Sequence, residues 1–351
     1  MYKVACLSST TSGPPKMFLF LLSLFFTGIS VAASQNAKQF DWNSIRYVHA
    51  FGDSYTFVQG TAGHANFSFI GDALNLAFTP KQLLANEIIA KNTSSEGSNW
   101  IEYLTGCFQG SPLDCDKQLW NFAFAGSDIS GDLLPLHHPF TTSLVNQVKQ
   151  WATYGSSVIP HPANETLTAW WIGINDTGDS LTNASITDFN AFWETEMKAY
   201  FTAVQSAHDH GLKTHLFINV PAEDRNPATV NSATKSALMK THIQQYNTIW
   251  INTSLRLLPR IPVDATVMTF DSNTLFNNIL NNPAQYGFKN VTGFCTCADP
   301  TGFFWFSQLR PSDAAGSSTH RCRDRRSAEE PSIPLGQITS NKKRRKTTDK
   351  T

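Results

Sequence analysis

From about residue 40 onward, short apolar runs alternate with longer stretches in which apolar residues return every three or four positions. The short runs are rich in β-branched and aromatic residues, the mark of strands. They are "IRYVHAF" (45–51), "LWNFAFA" (119–125), "TAWWIGI" (168–174), "THLFINV" (214–220) and "ATVMTF" (265–270). The longer patterns predict helices over 143–154, 186–210 and 235–258, with a weaker one near 273–281. Within 186–210, Phe189, Phe192, Trp193, Met197, Tyr200 and Phe201 form a single stripe that reads as core packing. Alternation of strand and helix predicts an α/β fold, a three-layer α/β/α sandwich around a parallel sheet of about five strands covered on both faces. Ligands of such sheets bind outside the carboxyl ends of the strands.

Those ends carry the candidate chemistry. The first predicted strand runs into "FGDSY" with Ser54, the second into "NFAFAGSD" with Gly126, and the third into "WIGINDTGD" with Asn175. Taken singly, a serine, a glycine and an asparagine at strand ends are ordinary turn and packing residues, and Asp53 reads as a loop or helix cap. In a parallel sheet, however, the three lie on one rim. Attack of a hydroxyl on an ester carbonyl makes a tetrahedral oxyanion that needs preplaced donors about 3 Å away. The amides of Ser54 and Gly126 and the side-chain NH₂ of Asn175 supply three such donors.

These blocks resemble the SGNH (GDSL) hydrolase superfamily, and within it the secreted fungal acetylesterases of carbohydrate esterase family 16. "FGDSY" is similar to the nucleophile block, "NFAFAG" to the glycine block and "GIND" to the asparagine block, with further similarity in "GSNWIEYLTGC", "FINVPAEDRNP" and "YGFKNVTGFC". The resemblance spans roughly residues 40–312 and implies Ser54 as nucleophile, with Gly126 and Asn175 completing the oxyanion hole. It implies no cofactor and no metal. The family's last block is an Asp, two residues, a His and a Pro. Here "FFWFSQLRPSD" puts Ser307 in the Asp position and Arg310 in the His position. The Asp only orients the base, so Ser307 is tolerable. Arg310 is a different matter, because a guanidinium stays protonated and offers no acceptor to a serine proton. Other histidines in predicted loops are His64, His137, His138 and His161; His320 reads as a tail residue.

Bulk properties narrow the reading further. The 351 residues are 41% hydrophobic and 15% charged, enough for one large core. Basic and acidic residues balance at 27 each, yet residues 319–351 hold ten Lys and Arg against four acids. The remainder carries 17 basic and 23 acidic residues, which disfavours nucleic acid as partner. The closing stretch reads as a basic solvated tail in place of the amphipathic C-terminal helix with which the family ends; a shifted reading frame or a retained intron is one origin for it. Residues 1–33 read as an export signal, with an apolar run from Met17 to about Val31 and small residues at Ala32 and Ala33. Translation starting at Met17 fits the same pattern.

Seven Asn-x-Ser/Thr sequons, at Asn66, Asn92, Asn164, Asn175, Asn183, Asn252 and Asn290, agree with a secreted, N-glycosylated chain. Cys107 and Cys115 are the first choice for a disulfide, whereas Cys295 and Cys297 are too close in sequence to bridge without strain. The expected organisation is thus a signal at 1–33, a hydrolase domain at 40–318 and a tail at 319–351. The expected activity is deacetylation of plant-wall oligosaccharides or another small ester by a monomer without membrane insertion. Trp100, Trp170 and Trp171 offer flat faces for sugar rings. A general lipase or arylesterase and a non-catalytic carbohydrate-binding protein on the same fold remain open as alternatives.

Overall fold

Val48, Ala50 and Gly52 alternate with His49 and Phe51 along the first strand, and all five are buried, so both faces of that strand are covered. The computed structural model describes residues 40–71, 79–257, 265–297, 299–308 and 310–312. In it this strand, β1 (Tyr47–Gly52), is joined by β2 (Gln118–Asn121), β3 (Thr166–Trp171), β4 (Thr214–Ile218) and β5 (Thr266–Phe270). The order is β2-β1-β3-β4-β5 with every pair parallel. Each strand overlaps one of the five predicted segments, β3 starting two residues earlier and ending three earlier than predicted. Because β2 and β3 leave β1 on opposite sides, the crevice for a ligand opens at the carboxyl ends of β1 and β3.

The helices are α1 (Pro80–Leu84), α2 (Trp100–Thr105), α3 (Leu144–Gln150), α4 (Ile174–Asp179), α5 (Phe189–Asp209), α6 (Pro227–Val230), α7 (Ala233–Leu257) and α8 (Ser272–Asn281). Four of them answer to predicted helices, and α3 continues into a single wider turn over Trp151–Gly155. The Asp188 side chain caps α5 by accepting from the amides of Asn190 and Ala191. The aromatic stripe packs as expected: Trp193, Met197, Tyr200 and Phe201 are buried, with Phe189 and Phe192 packed partly buried against the core. A second small sheet pairs β6 (Asn290–Phe294) with β7 (Phe303–Trp305). Its Phe304 and Trp305 join Tyr55, Trp171, Ile218 and Phe276 in an apolar cluster apart from the main core.

Two expectations are corrected. The predicted second strand runs to residue 125, but β2 stops at Asn121: the Phe122 and Phe124 amides still reach β1, while the Gly52 amide that would bond back turns to the Gln147 side chain. Cys295 and Cys297 do bond to each other, since their Cα atoms stand 5.2 Å apart, inside the ordinary range. Cys107 and Cys115 bond as expected. The proposed export signal, the basic tail with His320 and the absent closing helix all fall outside the described residues. Among the described residues, no helix is long and apolar enough to cross a membrane.

The core holds a histidine. His49 is fully buried between Phe122 and Trp151, and neither ring nitrogen has a hydrogen-bond partner. Burial, aided by the charge of His161, lowers its pKa from 6.5 to about 3. The unfolded chain therefore binds more protons between these two values. The stability that neutral His49 contributes is present above 6.5 and is lost as pH falls through this window. His49→Phe should gain on the parent progressively as thermal melts are taken from about pH 7 down to about pH 4. A stability gap that does not change with pH would contradict this.

Candidate active site

Where β1 ends, the chain turns at once. The Asp53 carbonyl accepts from the amides of Thr56 and Phe57 at 3.1 and 3.0 Å, and the Asp53 side chain accepts from the Tyr55 amide at 2.9 Å. Ser54 sits at the top of this turn, 7% exposed, and its hydroxyl enters none of the hydrogen bonds among the described residues. A side chain on Gly52 would put Cβ 2.1 Å from the Trp171 carbonyl oxygen, so glycine lets β3 pass close beneath the turn. Asp53 acts as the cap that the sequence suggested.

Beyond β2, Phe122 and Phe124 donate to the carbonyls of Ala50 and Gly52, which carries the chain alongside β1 as far as the glycine block. The Asn121 side chain donates to the Thr56 carbonyl at 2.7 Å and ties that segment to the serine turn. Gly126 then takes a left-handed conformation, φ 81°, with the ring of His137 lying against it. Gly173, φ 112°, opens α4, because any Cβ there would collide with Tyr246. Asn175 therefore stands in the first turn of a helix instead of in a strand-end loop. Its side-chain nitrogen donates to the Ser127 carbonyl at 2.9 Å, leaving a second N–H on the same amide.

Gln147, on the inner face of α3, connects the blocks. Its oxygen accepts from the Gly52 amide at 3.0 Å, and its nitrogen donates to the Gly52 carbonyl at 2.8 Å and to Ser127 Oγ at 2.9 Å. Hydrogen bonds thus run from Gly52 through Gln147 and Ser127 to Asn175, joining the three segments that carry Ser54, Gly126 and Asn175. Reading the sequence for chemistry missed Gln147. The available signal was a glutamine at an inward position of a helix, between Leu144 and Val148 on the buried face.

The site is rich in buried carboxyls. Burial raises Asp53 to about 8, against the Tyr55 amide and Arg310, which pull it down. Burial likewise raises Asp176 to about 7, although the Ile129 amide bonds its carboxylate at 2.8 Å. Glu223, which accepts from the Tyr55 hydroxyl and from Asn226, is raised to about 7 by burial. Arg310 belongs to this group. A turn closed by amides of Phe306 and Ser307 on the Arg310 carbonyl presents it, and its charge lowers the pKa values of Asp53, Tyr55 and His137. The position that the resemblance assigned to a histidine is thus taken by Arg310, whose charge bears on Asp53 and Tyr55 beside Ser54. Ser307 lies in the same turn, half-buried.

Other candidates are sorted by the geometry. Trp170 is fully buried and Trp171 nearly so, packed against Phe51 and Tyr55, so neither is a face for sugar; Trp100 is half-buried. His161 bonds to the carbonyls of Ile159 and His210, and His64 and His138 stack on Phe140. His137 alone of these four rests on a site residue.

No family model matches the chain. A protein named acetylesterase from Thermothelomyces thermophilus is 27% identical over 275 residues, covering 76% of this chain and 83% of its own. The two are homologous over most of their length. Among solved structures, an acetylxylan esterase from Geobacillus stearothermophilus overlaps with a TM-score of 0.38 at 14% identity, covering 81% of this chain and 95% of its own. An aryl esterase of M. smegmatis gives 0.40 at 11% identity, with 81% and 98% covered. An extracellular lipase from Streptomyces rimosus gives 0.37 at 12%, with 80% and 99% covered. These overlaps are too loose to carry any inference about the site.

Replacing Gln147 by leucine keeps the volume but leaves the Gly52 amide buried without its partner, while the Gly52 carbonyl keeps the Phe124 amide. An unsatisfied buried group costs about 1–3 kcal/mol, so Gln147→Leu should lose roughly 1–3 kcal/mol in urea unfolding. A loss below about 0.5 kcal/mol, the range of a neutral surface change, would show that the clamp is not needed.

Proposed function

We propose that this chain, a homologue of the Thermothelomyces acetylesterase, is a secreted ester hydrolase that removes acetyl groups from plant-wall oligosaccharides. The observation that carries the reading is the hydrogen-bonded path that binds the Ser54, Gly126 and Asn175 segments together. In the reaction the Ser54 oxygen attacks the ester carbonyl. The amides of Ser54 and Gly126 and the free N–H of Asn175 take up the developing oxyanion. The alkoxide leaves with a proton, and water then releases acetate from the acyl-serine. A raised Asp53 beside the nucleophile favours this chemistry, because a neutral carboxyl does not oppose the oxyanion as a carboxylate would. Small acyl groups suit a serine left only 7% exposed. The export signal expected at residues 1–33 and the sequons of the sequence support an extracellular substrate.

The step without a provider is removal of the Ser54 proton. Arg310 stands where the base is due, and loss of a base beside a serine nucleophile costs up to about 10⁶ in kcat. The chain should accordingly hydrolyse 4-nitrophenyl acetate at least about a thousandfold more slowly than Arg310→His. Ser54→Ala should abolish the restored activity. A parent rate close to that of Arg310→His, lost in Ser54→Ala, would overturn the impairment and leave the nucleophile standing. Equal inactivity of all three folded proteins would overturn the ester-hydrolase reading and favour the carbohydrate-binding alternative.

A further inference from the structure

Next to the oxyanion glycine lies a group of side chains that the proposed reaction does not use. Asp128 is fully buried, and neither of its carboxyl oxygens has a hydrogen-bond partner. The ring of His137, whose Nδ1 would lie 2.9 Å from a Cβ on Gly126, reaches Asp179 through Nε2. One ligand-capable atom from each of Asp128, His137 and Asp179 lies within 4.8 Å of the other two. We propose that these three residues form a binding site for a divalent cation, with zinc as the metal their donors select.

A buried carboxyl without partners is costly unless a proton or a cation joins it, and charged groups away from water must be paired or coordinate a metal. Asp128 meets that condition. Its oxygens face two further potential ligands, and the buried Asp176 carboxyl nearby raises the need for positive charge. One imidazole with two carboxylates is a nitrogen and oxygen set that suits zinc, with three protein ligands and one open position. Calcium and magnesium prefer oxygen alone. Donors around tetrahedral zinc stand about 3.3 Å apart, so small side-chain movements close the present spacing. The proton shared between His137 and Asp179 gives way to the ion.

The ligands' places in the chain give the site a consequence. Asp128 follows Gly126 by two residues, and Asp179 follows Asn175 by one turn of α4. His137 comes from the loop that covers Gly126. An ion held by all three cross-links both oxyanion segments and the loop over them, outside the reacting atoms. No spacing motif announces it, because the ligands come from separate segments.

The proposal does not depend on the ester-hydrolase reading and is tested without turnover. Zinc chloride is titrated calorimetrically into the chelator-treated full chain carrying Ser54→Ala, with magnesium as the control. One zinc per chain is expected, with Asp128→Asn and His137→Gln each weakening it about tenfold or more. X-ray absorption of the zinc-loaded Ser54→Ala chain needs no ligand variant, and should show one imidazole and oxygen donors. Absence of zinc binding at micromolar concentrations, sulfur donors pointing to cysteines, or affinity unchanged in both folded variants would each overturn the site.

Discussion

One glutamine, bonded to both polar groups of one glycine, holds this rim together. Strands in a parallel sheet end with backbone N–H and C=O groups that have run out of ladder partners, and buried groups of that kind must be satisfied. At Gly52 the Gln147 side chain takes the amide and shares the carbonyl with the Phe124 amide. Its remaining N–H then reaches Ser127, which in turn accepts Asn175. The serine turn, the glycine block and the start of α4 are therefore fixed to each other through buried hydrogen bonds, and not merely brought near by the sheet. Loops that carry chemistry are otherwise free to drift by the ångström that catalysis does not tolerate.

The electrostatics of the rim follow from burial. Asp53, Asp176 and Glu223 are all pushed upward, so this end of the sheet is closer to neutral at mild pH than its composition suggests. Such surroundings leave a forming oxyanion without nearby negative charge. Arg310 draws little from them. Burial lowers its pKa from the ordinary guanidinium value, and the charges of Tyr55 and Asp53 only partly offset this. The buried guanidinium is thus costly to the fold, and it offers no acceptor to a serine proton.

Much of this was legible in the chain. Short apolar runs and period-four patterns located all five strands of the main sheet and the four longest described helices, because those elements are held by burial that the pattern records; β6 and β7 went unread. That the segments of Ser54, Gly126 and Asn175 share one rim was legible because the carboxyl ends of parallel strands lie on one side. What escaped depends on contacts between distant segments. Gln147 looks like any polar residue in a helix until Gly52 is placed against it. His137 acquires meaning only when the loop folds onto Gly126, and β2 stops early because Gln147 takes the Gly52 amide that the next ladder bond needs. Trp170 and Trp171 were candidates for sugar faces; their strand is covered on both sides, which turns both into core.

The central claim is that Ser54 is a nucleophile set in a built site from which only the base is missing. Intact-protein and peptide mass spectrometry after exposure to a small fluorophosphonate tests it most directly, in the parent chain and in Arg310→His. The account predicts a single phosphonyl adduct on Ser54, formed far faster in Arg310→His than in the parent. Labelling on another residue, or no adduct on folded Arg310→His, would contradict it.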